Sequence, residues 1–275
     1  MKELLKIRGF LPYLAIAFLN ASVDLAHKIT IQNVLLKSFD GDTLVVLTAL
    51  VNAMILLPFV FLFSPAGFIN DKYSHTKVIR YAAVVGVFIS FAIFLSYLAG
   101  AFEIAFILTL ILAAQSAVYS PAKYGIIKSI VGTEHLGAAN GIIQALTIVA
   151  ILFSSFAFSY IFEVIYVASD NPSQILSSIY FIGFLIVIFS ALEVIFSFKL
   201  PFFSAAENEE KTQFSAKKYF SLSYLKENVK LVRSDKNIWL SIIGLSIFWG
   251  VSQVIVAAFP AHYKMLFNDD NALVI

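Results

Sequence analysis

Residues 78–99 read VIRYAAVVGVFISFAIFLSYLA, and after the single Gly100 residues 101–119 read AFEIAFILTLILAAQSAVY. Neither stretch alternates polar and apolar positions, and neither confines its apolar residues to one helical stripe. Arg80 and Glu103 are the only charges, and each lies near an end. A bilayer core of about 30 Å needs about 20 apolar residues of helix. Each stretch is therefore long enough to cross it, and Gly100 leaves room only for a tight turn between two antiparallel spans.

Five further windows meet the same test, at residues 10–26, 43–64, 136–160, 175–198 and 238–259. The composition agrees. Hydrophobic residues make up 60% of the 275 and charged residues 13%, whereas soluble domains lie near one half and one quarter. The first window follows Lys2, Lys6 and Arg8, as a signal peptide would. No small-residue cleavage site follows it in good position, so it reads as a retained helix.

Positive residues orient the spans. With a cytoplasmic N-terminus, sixteen of the nineteen Lys and Arg fall on the inside, and Lys28, Lys37 and Lys264 are left outside. One missed helix would invert every later loop, so this imbalance supports the count. The sequence is thus read as an all-α membrane protein. Residues 1–200 form an N-terminal six-helix bundle, 201–237 a cytoplasmic linker, and 238–275 a seventh span with the start of an outer loop. Six helices, a linker and one more helix make half of a larger plan, so the chain is expected to be a fragment.

The linker opens with Glu207, Glu209 and Glu210 and turns basic from Lys217 to Lys236. Phe214, Tyr219, Phe220, Leu222, Leu225, Val229 and Val232 recur at near-helical spacing between those charges. An amphipathic helix along the membrane face fits this pattern; a partly ordered linker is the alternative.

A charge inside the bilayer is costly and invites a functional reading. Asp24 lies late in the first window. Asn20, Asp24 and Lys28 share a helix face, which could line a gate or a substrate cavity. The plainer reading is a local Asp24–Lys28 ion pair near the outer interface. Glu193 could couple to protons, but pairing with Lys199 or another inside cation is the favoured reading. Glu103 suits a helix N-terminus. The fourth span ends in the block 114–125, AQSAVYSPAKYG, where Gln115 and Tyr119 sit among small residues that permit close packing or line a cavity. Pro121 and Gly125 are expected to break that helix, and Lys123 beside the break could meet a phosphate. Asn140 and Gln144 share a face of the fifth span. Few charges should line the cavity, with Asp24 and Lys123 among them.

The loop from 67 to 80 carries Gly67, Asp71, Lys72, Lys77 and Arg80. A small residue allows close helix approach, a carboxylate accepts bonds from a helix N-terminus, and two cations clamp the inner side. Such a set suits a conformational latch, although inside-positive charge alone also explains it. Several chemistries are excluded. There is no cysteine, the four His are scattered, and no phosphate-binding, serine-hydrolase or zinc-protease motif occurs. No cofactor, metal or nucleic-acid partner is expected.

The loop has the form G-x-x-x-D-K-x-x-x-x-K, which resembles the two-to-three loop signature of the major facilitator superfamily. The block 116–125 closely resembles the fourth-helix block of bacterial lysophospholipid transporters. The stretches 18–24, 139–141 and 246–250 resemble the same family in the same order. The resemblance implies an inner-membrane protein that flips lysophosphatidylethanolamine-type lipids to the cytoplasmic leaflet. There an acyltransferase–acyl-carrier-protein synthetase, separate or fused behind the transporter, reacylates them. It places Asp24 in a polar gate and Lys123 at the headgroup or phosphate. From this and the reading of the residues themselves, Asp24, Asn20, Lys123, Tyr119 and Gln115 are expected to bind substrate, and Gly67, Asp71, Lys77 and Arg80 to form the latch. The sequence departs from the family in supplying seven spans of about twelve, and in Asn70, where a small residue is usual. A general exporter of drugs or metabolites, or the membrane part of a bifunctional acyltransferase, are the alternatives.

Overall fold

The computed structural model describes residues 3–203 and 215–273. Lys2, Glu207, Glu209, Glu210 and Phe214 therefore lie outside the described residues. A short 3-10 turn at Leu4–Lys6 leads into α1 (Phe10–Ser38), α2 (Gly41–Phe61), α3 (Phe63–Lys72), α4 (His75–Leu98), α5 (Phe102–Val131) and α6 (Leu136–Ile165). Then come α7 (Pro172–Ser178), α8 (Tyr180–Phe198), α9 (Ala216–Phe220), α10 (Ser223–Arg233) and α11 (Lys236–Phe267). Seven of these, α1, α2, α4, α5, α6, α8 and α11, are long and apolar enough to cross a membrane. No strand occurs among the described residues. This is the all-α, seven-span architecture expected from the composition.

Several element ends differ from the expectation, each for a physical reason. The first span does not stop near residue 26. It runs on to Ser38, because His27, Thr30 and Asn33 turn into the bundle and are buried there. Asp24 consequently sits near the middle of α1. Most of the loop after the second span is a separate helix, α3. It starts after Leu62, and Pro65 falls in its first turn, where a missing N–H costs nothing. Helix α5 runs through Pro121 and Gly125 to Val131 without breaking. Packed neighbours support a membrane helix across such a point, and Ala122, Ile126 and Ile127 are fully or almost fully buried. The sixth span is split, since α7 begins at Pro172 behind an Asn171 cap and α8 restarts at Tyr180. The linker's helical stretch is also in two pieces, parted at Leu222, whose φ is 58°.

The expected turn at Gly100 is present with φ 64°, and a Cβ there would lie 2.7 Å from the Ser173 carbonyl oxygen. Only glycine fits. Gly125 has a different role: the His75 ring fills the space its Cβ would need, so α4 starts hard against α5.

The helices alternate in direction, which gives the bundle two faces. Gly9 abuts Pro201, and Arg80 donates to the carbonyls of Ser197 (3.2 Å) and Leu200 (2.9 Å). The starts of α1 and α4 therefore share one face with the end of α8. The opposite face carries the end of α1 and the α2 entry. Helix α11 leans on α2 and is buried only at Pro260 and Ala261. Helix α9 is tied to the end of α2 by the Tyr219 hydroxyl, which donates to the Phe61 carbonyl.

The apolar core is in two parts. One, nearer the N-terminal face, gathers Phe10, Tyr13, Ile79, Tyr119, Ile126 and Ile143. The other, nearer the opposite face, gathers Ile31, Leu35, Ile93, Leu112, Phe162 and Ile182. Between them α1, α4, α5, α6 and α8 contribute Asn20, Ser22, Ser90, Ser116, Ser154, Ser190 and Glu193, all buried. The bundle thus has a polar layer across its middle.

Candidate functional site

That layer is where helices with no apolar alternative would be expected to close on one another, and instead they present hydroxyls, amides and charges. Helix α1 supplies Asn20 and Asp24 one turn apart. Helix α5 supplies Gln115, Ser116, Tyr119 and Lys123 on successive turns. The Ser116 hydroxyl lies 3.0 and 2.8 Å from the two Asp24 oxygens and 3.3 Å from Gln115 Oε1. It has one proton to donate among three acceptors. Gln115 Nε2 donates to the Ala82 carbonyl at 2.9 Å, which anchors it to α4. Lys123 Nζ donates to Asn20 Oδ1 at 3.3 Å and lies 6.0 Å from the Tyr119 ring centroid. The Tyr13 hydroxyl donates to the Lys123 carbonyl at 2.8 Å.

Asp24, Asn20, Lys123, Tyr119 and Gln115, singled out in the sequence, thus come together. Asp24 opens on a cavity of about 270 Å³ between α1, α2, α5 and α6, which Lys28, Phe59, Thr109 and Ile151 also line. Lys123 does not line that cavity. It lies one step toward the N-terminal face, 8% exposed, and is joined to α1 through Asn20. The local Asp24–Lys28 ion pair is not formed among the described residues: Asp24 is turned to Ser116 and is no longer near an interface.

Of the partners expected for Glu193, Lys199 or another inside cation, Lys199 is ruled out. Lys199 Nζ lies over the Phe196 ring, 5.1 Å from its centroid. Glu193 points inward, 3% exposed, within electrostatic reach of Asp24, Lys123 and Tyr119. Its Oε1 has no hydrogen-bond partner among the described residues. Neither has the Tyr119 hydroxyl, nor the hydroxyls of Ser22, Ser90, Ser154 and Ser190. Ser38 Oγ, both amide atoms of Asn52 and Asn70 Oδ1 are also without partners among the described residues. Buried polar groups are nearly always satisfied, so the gathering of six such atoms in this layer marks it as a place for water or ligand. Ser116 and Glu193 are the residues that sequence reasoning undervalued. Both carried a usable signal: one belongs to the fourth-helix block, the other is the lone acid of its span.

His27 shows the contrary arrangement. Its Nδ1 lies 2.9 Å from the Tyr97 hydroxyl, and its Nε2 lies 3.1 Å from both the Ala105 carbonyl and the Thr109 hydroxyl. Every polar atom of the ring is occupied, and it joins α1, α4 and α5.

The residues expected to form a latch lie apart, on the N-terminal face. Arg80 holds α4 to the end of α8 and stacks over Phe198, 5.2 Å from the centroid. Lys77 is exposed, with Nζ 5.7 Å from the Phe202 centroid. Asp71 is exposed, and no hydrogen bond or ion pair reaches it among the described residues. A Cβ on Gly67 would meet nothing within 4 Å, so close approach does not require glycine there. Asn70 joins the helices instead: its amide donates to the carbonyls of Ala66 (2.8 Å) and, on α5, Val118 (3.2 Å). Asn140 and Gln144 lie on an exposed face of α6 rather than bonding across to a neighbour.

The family model described as Major Facilitator Superfamily matches residues 13–274. No curated protein and no solved structure gives a significant match.

Proposed function

Because this chain belongs to the major facilitator superfamily, a family of transporters, we propose that it carries a single-chain phospholipid, of the lysophosphatidylethanolamine type, across the membrane. The observation that carries the reading is the pair formed by Asp24 and Lys123. These are groups of opposite charge on facing helices, with no direct ion pair between them among the described residues: Asp24 is held by Ser116 and Lys123 by Asn20, in a polar layer with apolar core above and below. A phosphate with a cationic substituent is the headgroup such a pair suits. An acyl tail needs the apolar walls. The resemblance of block 116–125 to the lysophospholipid transporters points the same way, and Lys123 and Tyr119 fall within that block.

In this reading the face bearing the N-terminus is cytoplasmic, since most Lys and Arg gather toward it. Transport proceeds by rocking of two bundles about the midplane site. The headgroup is held near the polar layer while access passes from one face to the other. An acyltransferase–acyl-carrier-protein synthetase, fused or separate, is the partner that consumes the delivered lipid.

The test is uptake of labelled lysophosphatidylethanolamine into bacterial spheroplasts that lack their own transporter, with the full-length gene and its Asp24→Ala and Lys123→Ala variants. The expected outcome is uptake by the wild type and loss of at least about tenfold in each variant at equal membrane expression. A well-expressed wild type that moves no lipid would show the substrate assignment to be wrong and favour a general exporter.

A further inference from the structure

We propose that Glu193 and the Tyr119 hydroxyl beside it form a distinct subsite of the midplane, one that receives the cationic group of a zwitterionic aminoalkyl-phosphate headgroup. The inference rests on the lysophospholipid reading and assigns the two ends of the headgroup to different side chains.

The first ground is the pair of empty valences. Glu193 on α8 is 3% exposed and Tyr119 on α5 is fully buried. The two side chains are near enough to act as a hydrogen-bonding pair, yet no bond of normal length and angle joins them, and Glu193 Oε1 and the Tyr119 hydroxyl have no other partner among the described residues. A carboxyl oxygen left without a partner in the interior is unfavourable. It persists in a folded protein where something else completes it. A ligand N–H would do so.

The second ground is charge. Asp24, Glu193 and Lys123 are the charged groups that reach one another in the layer. Asp24 has the Ser116 hydroxyl, and Lys123 has Asn20. Lys28 lines the cavity next to Asp24, but no ion pair joins it to either acid among the described residues. Two acids thus face one ammonium, and with both ionised the cluster is one cation short. A ligand with a phosphate for Lys123 and an ammonium for Glu193 would bring that cation and an anion together. The Tyr119 ring, already 6.0 Å from Lys123 Nζ, offers a second cation a π face as well. A glycerol headgroup, which has a phosphate and no cation, would leave Glu193 bare and add to the negative charge.

The test measures uptake of labelled lysophosphatidylethanolamine and lysophosphatidylglycerol side by side, by the full-length wild type and by the Glu193→Gln and Tyr119→Phe variants. Glu193→Gln is expected to lower uptake of the ethanolamine lipid by about tenfold or more, while uptake of the glycerol lipid holds or rises. Tyr119→Phe should shift the ratio the same way by about threefold. It keeps the ring and decides the matter alone if Glu193→Gln does not reach the membrane. An unchanged ratio in the variants would overturn the inference and leave the lysophospholipid reading standing; a proton held on Glu193 would give that result. A wild type that moves neither lipid would overturn both.

Discussion

At the face opposite the N-terminus, Lys37 Nζ lies 2.9 Å from both Glu163 Oε1 and Asp270 Oδ1 and 4.6 Å from the Tyr166 centroid. Glu163 Oε1 also accepts from the Ala272 N–H at 2.6 Å. Lys264 closes on Asp40 at 2.8 Å and donates to the Leu36 and Phe39 carbonyls, so it caps the end of α1. In the midplane layer, by contrast, a carboxyl oxygen, a phenol and four serine hydroxyls lack partners among the described residues. Both regions bury polar groups between helices. One pairs its charges, although Ser38 Oγ beside them has no partner among the described residues, and thereby sets where α6 and the end of α11 stand against α1. The other leaves them open, which contributes little to holding the helices together and leaves room for a ligand. The satisfaction of the polar atoms, rather than their burial, separates a strut from a site.

The comparison breaks most sharply at Lys123. Lys123→Met takes away the one ammonium within reach of Asp24 and Glu193, so uptake should be lost at equal membrane expression. Removing one member of a buried charged cluster leaves the others uncompensated, at a cost of about 3–5 kcal/mol, so the melting temperature should fall as well. Uptake that survives Lys123→Met would remove Lys123 from the site. At the opposite face only stability is at stake. Lys37 is 5% exposed in its side chain, and Lys37→Met strands two carboxylates, of which Asp270 is partly solvated. A loss of about 1–3 kcal/mol is expected, read as a lower melting temperature that Glu163→Gln partly restores. An unchanged melting temperature would mean that the cluster does not hold the helices. The smallest effect is expected at Lys264→Ala. Asp40 is 81% exposed in its side chain, so the pair itself should contribute less than about 1 kcal/mol. What remains is the cap on α1. A thermal scan that moved further than for Lys37→Met would reverse the ranking of the two lysines.

The spans were legible because a membrane helix satisfies its own backbone and must be apolar along about 20 residues, a local property. Their ends were less so. Residues 27–33 contain His27, Lys28, Thr30 and Asn33 and read as the exit from a span. In the bundle they meet Tyr97, Thr109 and Ser159, so the same polarity is interior. The loop at 67–80 looked like a latch of charges, whereas Asn70, the residue that departs from the family pattern, is the one that docks α3 on α5.

The site divides in the same way. Asp24 could be found from sequence because an ionisable group inside a span window has few explanations, and Lys123 because it falls in the block 116–125 that resembles the lysophospholipid transporters. Glu193 could not be assigned, because Lys199 lies six residues away and offers a ready local partner. Only the packing of α8 shows that it turns inward to Tyr119 and Lys123 instead. Sequence alone determined the helical class, the number of spans and the candidate charges, since these follow from the free energy of each segment in a bilayer. Tertiary structure decided which polar atoms are satisfied, because a hydrogen bond needs its partner within about 3 Å. Residues such as Asn20 and Lys123, 103 positions apart, meet only when the helices have packed.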